Sequence, residues 1–167
     1  RCVDARPIGS AEAFLYQIRS YVYSRSQASE SPYSLECDTV ELPDNFLEAA
    51  SKLEGELFLL ERPLRELRRS LESKLDDQAN ELDTKSRNRI EGLAQSILNR
   101  GEQPVSAWRD MLASLNSELE NISEGFADWL SVERFEGRDF DVGMHRHWID
   151  PTIPFADRVV GPAHGVL

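Results

Sequence analysis

The sequence predicts a mainly α-helical fold with a small β element, and three observations carry that expectation. Apolar residues recur at steps of three or four from Phe46 to Leu82, the spacing of a helix packed along a seam. After Gly125 the period falls to two, the spacing of strands. A shorter alternation precedes the helical middle, so strand-like segments flank it on both sides. Helices rising between strands suit an insertion in a sheet-based host.

In chain order, residues 10 to about 27 predict a first helix. Ser10 can cap it, Glu12 favours the first turn, and Phe14, Leu15, Ile18, Tyr21 and Val22 form one apolar stripe. The polar run from Ser24 to Pro32 reads as a loop. Tyr33, Leu35 and Cys37 then alternate with Ser34, Glu36 and Asp38, a half-exposed strand closed by Pro43.

The central heptad run comprises Phe46, Ala50, Leu53, Leu57, Leu60, Leu64, Leu67, Leu71, Leu75, Ala79 and Leu82. Pro63 lies inside it and lacks a backbone donor, which predicts a kink or a break into two helices. Asp83-Thr84 restarts a helix over about 84–100 with Ile90, Leu93, Ala94, Ile97 and Leu98 inward, terminated by Gly101. Another begins near Pro104 and carries Val105, Trp108, Leu112, Leu115, Leu119 and Ile122 on one face. Beyond Gly125, Trp129, Ser131, Glu133 and Phe135 alternate with Leu130, Val132 and Arg134. Glu136-Gly137 offers a turn, and Phe140 to Trp148 alternates again, so this segment predicts a β-hairpin.

The expected organisation is a single unit over 1–167. An N-terminal helix and strand fill 1–42, a helical hairpin or bundle 43–125, and the β-hairpin with a return segment 126–167. Val166 and Leu167 read as the first residues of a strand, and residue 1 is an arginine, so the chain is expected to be a piece of a larger protein.

Composition bounds function. With 40% hydrophobic and 29% charged residues the chain reads as soluble and globular, and no apolar run approaches the ~20 residues of a membrane span. Cys2 and Cys37 are too few for a disulfide framework or a four-thiolate cluster and read as reduced thiols of a cytoplasmic protein. The net charge of −11 opposes nucleic-acid binding over the whole surface, so any such contact must be a local basic patch.

His145 and His147 stand two apart on a strand, which turns both imidazoles to one face with Asp150 nearby. Zinc takes three or four ligands and only two are clear, so the simpler reading is two ordinary strand histidines and no metal. Neither a nucleophile elbow nor a phosphate-cradling glycine loop is present, and no catalytic residue is expected. Arg62, Arg65, Arg68, Arg69 and Lys74 crowd within one stretch, with Lys85, Arg87 and Arg89 beyond. With Leu60, Leu64, Leu67 and Leu71 buried, Arg62, Arg65 and Arg69 share an exposed flank that can track a single-stranded backbone. Glu61, Glu66 and Glu72 alternate with them, so the same flank reads as helix-surface ion pairs, and the residues alone favour that second reading.

The run Asp141-Val-Gly-Met-His-Arg-His-Trp-Ile-Asp-Pro-Thr-Ile-Pro-Phe-Ala156, followed by Pro162-Ala-His-Gly-Val-Leu167, resembles bacterial ATP-dependent DNA helicases of the DinG/XPD kind. Tyr33-Ser-Leu-Glu36, Leu82-Asp-Thr84 and the stretch from Trp129 to Gly137 are similar to that group as well. The resemblance implies an arch domain, a mostly helical insertion in the first motor domain that ends just before a Ser-Ala-Thr motif and helps form the passage for the translocated strand. It implies single-stranded DNA and the rest of the motor domain as partners, with a role in DNA repair. ATP and Mg would be cofactors of the motor alone, and whether that protein holds an iron–sulfur cluster stays open. The DNA contacts expected of such a domain are the Arg62–Arg69 flank with Lys74, chosen for its basic cluster, and Arg134, Arg138, Arg146 and Trp148 of the hairpin. The alternative is a coiled-coil module whose leucine seam binds a partner protein or a second copy.

Overall fold

A computed structural model of the chain describes residues 9–26, 32–77, 82–115 and 125–161. It is mainly helical with one three-stranded antiparallel sheet, ordered β1-β2-β3. The helices are α1 (Ser10–Arg25), α2 (Asp44–Asp77), α3 (Thr84–Ile97), α4 (Gln103–Leu115) and the single turn α5 (Thr152–Phe155). The strands are β1 (Leu35–Asp38), β2 (Phe126–Phe135) and β3 (Arg138–Trp148). Two compact units divide the chain: residues 1–49 with 114–167, and residues 50–113. The second is therefore inserted in sequence between β1 and β2.

In the sheet-bearing unit, β2 is central. Leu35 pairs with Val132, Cys37 with Leu130, and Leu130 in turn with Met144, so one face collects Leu35, Cys37, Leu130, Val132, Val142 and Met144. Helix α1 packs on this sheet and buries Phe14, Ile18, Tyr21 and Val22. Phe46, at the start of α2, lies edge-on to Phe14 and Tyr21 with ring centroids 5.2 and 5.8 Å away. Asp139 ties the hairpin to α1. It accepts from the Tyr23 hydroxyl at 2.7 Å and pairs with Arg19 at 2.6 Å and Arg134 at 3.4 Å. Donating to that carboxylate holds the Tyr23 phenol protonated above its ordinary range.

The hairpin turns at Glu136 and Gly137, whose φ values are +51° and +77°. Two successive left-handed residues make a type I′ turn, whose twist matches that of the strands. The register slips between Glu133 and Arg134, since Glu133 faces Asp141 while Arg134 faces Asp139. Phe140 is the extra residue of this bulge and stands exposed.

In the helical unit, α2 faces α3 and α4 antiparallel. Its early Glu54 meets Arg109, its middle Arg68 meets Glu102, and its late Glu72 and Leu75 share a shallow groove with Arg87 and Glu91. The inward stripe of this stretch of α2 is Leu53, Leu57, Glu61, Leu64, Arg68, Leu71 and Leu75, every one buried or half-buried. The steps are four, four, three, four, three and four, a heptad seam with charged residues at two of its positions.

Several expectations are corrected. Leu60 and Leu67 are 46% and 51% exposed, so they flank the seam instead of lining it, and Leu93 is also exposed. Of the kink or break expected at Pro63, the break does not occur, since α2 is one continuous helix through it. Both Pro63 and Leu59 are exposed, so water can take the Leu59 carbonyl that the proline cannot serve. Gly101 does not terminate a helix. It sits in a π-helical turn, Leu98–Glu102, that carries α3 into α4, with the Gln103 N–H donating to the Leu98 carbonyl. A methyl at Gly101 would stand in ordinary contact, 3.5 Å from the Leu64 methyls, so the position packs against α2 without requiring a glycine. Gly9, not Ser10, occupies the N-cap of α1, which ends at Arg25, and β1 begins at Leu35 with Tyr33 exposed outside it. Cys2, the loop residues 27–31, Ala79, Leu119, Ile122, His164 and the strand expected at Val166–Leu167 lie outside the described residues.

Candidate nucleic-acid interface

The basic residues singled out from the sequence separate into two groups once their neighbours are known. Arg134, with a side chain only 8% exposed, donates to the Gly137 carbonyl at 2.7 Å and pairs with Asp139. Arg146 lies directly across the ladder from Asp128 and pairs with both of its oxygens, Nε to Oδ1 at 2.7 Å. It also donates to the Ser114 hydroxyl, and its guanidinium lies 4.9 Å from the Phe126 ring centre. Both arginines are largely buried and engaged within the hairpin.

Arg68 belongs with them. Its Nε reaches Glu102 at 2.6 Å and its Nη1 reaches Glu72 at 2.7 Å, and these bonds hold its guanidinium charged well beyond the usual arginine range. Seated on the seam, it faces α3 and α4. The expected placement of Arg68 beside the exposed flank is therefore corrected.

The remaining cations face outward. Arg62 is 84% exposed and pairs with Glu66 at 2.7 Å, while Arg65 pairs with Glu61. An exposed (i,i+4) pair such as Arg62–Glu66 contributes only about 0.3–0.5 kcal/mol, so a phosphate can displace that carboxylate at little cost, whereas Glu61 is largely buried and also holds Arg109. Arg69 and Lys74 have no ion-pair partner among the described residues. They line a shallow groove with Ser70, Ser73 and Asp77, in which the Ser73 hydroxyl donates to Asp77 at 3.0 Å. Arg62, Arg65 and Arg69 share one flank of α2, as their spacing predicts.

In the sheet-bearing unit, Arg138 is exposed beside the hairpin turn and has no ion-pair partner among the described residues. Trp148 packs on Phe126 with centroids 4.2 Å apart and stays 41% exposed. His145 and His147 share the opposite face, as expected from their spacing. His145 stacks on Trp129 at 5.0 Å and its Nε2 lies 2.8 Å from the Ser131 hydroxyl, while His147 meets Trp129 edge-on at 4.9 Å. Among the described residues no group of three His, Cys, Asp or Glu side chains converges as a metal site. Gly143 makes room for the His145 ring, since a methyl there would stand 3.1 Å from Nε2.

Two residues of the α2 flank escaped the sequence reading. Phe58 falls off the seam, is 57% exposed and lines a groove with Leu59, Glu61, Arg62 and Arg65. Arg109 of α4 lies over its ring at 4.7 Å and is itself held by Glu54 at 3.1 Å and by Glu61. The signal was present as the spacing of Phe58, Arg62, Arg65 and Arg69, one helix face at steps of four, three and four. Cys37 is a free thiol whose ionisation burial and the Asp38 charge push up to about 11, which removes it from nucleophilic chemistry near neutrality. No helix among the described residues is long and apolar enough to cross a membrane. Comparison with family models, curated proteins and solved structures finds no match to the chain.

Proposed function

We propose that this chain is an arch-like accessory domain of an ATP-dependent DNA helicase that helps enclose or guide single-stranded DNA during unwinding, in DNA repair and in the cytoplasm. The observation that carries the reading is topological. Residues 50–113 form a helical unit inserted between β1 and β2, strands that pair directly in one sheet. Helices that leave a small β platform and return to it are what an excursion from a sheet-based motor requires. The sequence resemblance at Asp141–Ala156 and the outward flank of Arg62, Arg65 and Arg69, with Lys74 nearby, support it.

In this reading ATP and Mg belong to the motor, the rest of the motor domain is the constant partner, and the chain contributes geometry and phosphate contacts but no chemistry. No iron–sulfur ligand is assigned to it. The test is charge reversal, Arg65→Glu with Arg69→Glu, in the helicase that contains the chain. The expected result is weaker single-strand binding and unwinding with DNA-independent ATPase retained; unchanged unwinding removes the flank from the reading.

A second reading, a self-association module, draws on Leu59, Leu60 and Leu67, which are exposed on α2. Sedimentation separates the two. A concentration-dependent dimer supports association through that stripe, and a monomer at all concentrations removes it.

A further inference from the structure

The α2 flank holds something besides charge. Phe58, Arg62, Arg65 and Arg69 recur at helical spacing, and Phe58 is the aromatic member of the row. Phe58 is 57% exposed, so much of its ring stays open to a ligand. One neighbour orients the ring. The Arg109 guanidinium lies over it at 4.7 Å, and Glu54 and Glu61 in turn fix Arg109. The aromatic is thus pre-set on a helix, with Arg109 over its ring and Arg62 and Arg65 in the same groove.

We propose that Phe58 is a stacking platform for one nucleobase of a single strand whose phosphates run along Arg62, Arg65 and Arg69. This deepens the single-strand reading given above and rests on it. Proteins that hold single strands without sequence preference pair a basic track with aromatic faces, because every base has a π-face. The groove beside Phe58 supplies that combination: Phe58 and Leu59 offer apolar surface, and Arg62 and Arg65 rim it. Arg62 sits in an exposed (i,i+4) pair that a phosphate can replace, while Arg65, 46% exposed, reaches back to the half-buried Glu61 that also holds Arg109. Stacking on an aromatic face is sequence-tolerant, so little sequence preference is expected.

The experiment compares two fluorescent oligomers of equal length at low salt, oligo(dT) and an abasic sugar-phosphate chain, bound to the full chain. Anisotropy reads the affinities of wild type, Phe58→Leu and Phe58→Trp, each checked for helical content by circular dichroism. The expected result is that wild type prefers oligo(dT) at least about fivefold. Phe58→Leu abolishes the preference with abasic binding unchanged, and Phe58→Trp keeps or raises it. Equal oligo(dT) binding by wild type and Phe58→Leu overturns the stacking role and leaves the basic flank standing. Binding of neither oligomer overturns both. Should Phe58→Leu fail to fold, wild type decides alone, because equal affinity for the two oligomers refutes a stacked base.

Discussion

The ion pair between Arg146 and Asp128 decides whether an arginine read from sequence as a DNA contact is a structural member of the hairpin. Replacing Asp128 by leucine leaves Arg146 over Phe126 with its Ser114 bond but without a countercharge. Removing one partner of a fully buried pair costs about 3–5 kcal/mol. Here the side chains keep 15% and 13% of their exposure, so water reaches the stranded charge and about 2–3 kcal/mol is expected. Arg146→Met strands Asp128 and should cost a similar amount. The double replacement Arg146→Met with Asp128→Leu leaves no buried charge and is expected within about 1 kcal/mol of wild type. A double-mutant cycle then gives a coupling of about 2 kcal/mol or more. The assay is urea unfolding at 25 °C, followed by the fluorescence of Trp129 and Trp148 in a Trp108→Phe background. Single replacements within about 0.5 kcal/mol of the parent, or a double replacement that costs the sum of the two, would refute the reasoning.

Three further outcomes are expected. Glu136 adopts φ +51° beside Gly137 at +77°, so Glu136→Asn should stabilise the hairpin by a few tenths of a kcal/mol and Gly137→Ala should cost about 1 kcal/mol, both read by thermal unfolding. On α2, Leu53→Ala should cost about 2–4 kcal/mol and Leu67→Gln less than about 0.5 kcal/mol by hydrogen exchange of the helical unit, because only the first is buried. Cys37 stays protonated in the fold until about pH 11, whereas an unfolded thiol ionises near pH 8.5–9. Its stabilising contribution is therefore complete below that range and is lost as pH rises toward 11. Alkylation of a Cys2→Ser variant should be slower than that of a free thiol at pH 8 and should accelerate on unfolding.

The strands were legible because their signals are local. Alternation, a Glu-Gly turn and flanking aromatics place β2, the turn and β3 without knowledge of any distant residue. The register of α2 was not legible. Leu57, Phe58, Leu59 and Leu60 are consecutive apolar residues, so steps of three and four can be threaded through them in more than one way. The register adopted puts Glu61 and Arg68 on the seam, and what selects it is Arg109 and Glu102 on the facing helices. Those partners lie 48 and 34 residues away in sequence, beyond any local pattern. The same holds for the candidate interface. Local spacing places Arg62, Arg65 and Arg69 on one flank, whereas the partners of Arg134 and Arg146, Asp139 and Asp128, are set only by the hairpin register. Phe58 lies off the seam, so the heptad pattern carries no signal for it.

The salt dependence of oligo(dT) binding tests the single-strand reading most directly. Three displaced phosphate contacts at about −0.7 each give a slope near −2 in log K against log salt for wild type, with the slope approaching zero for Arg62→Gln, Arg65→Gln and Arg69→Gln combined. A wild-type chain that does not bind, or a slope that the three replacements leave unchanged, contradicts a phosphate track along α2.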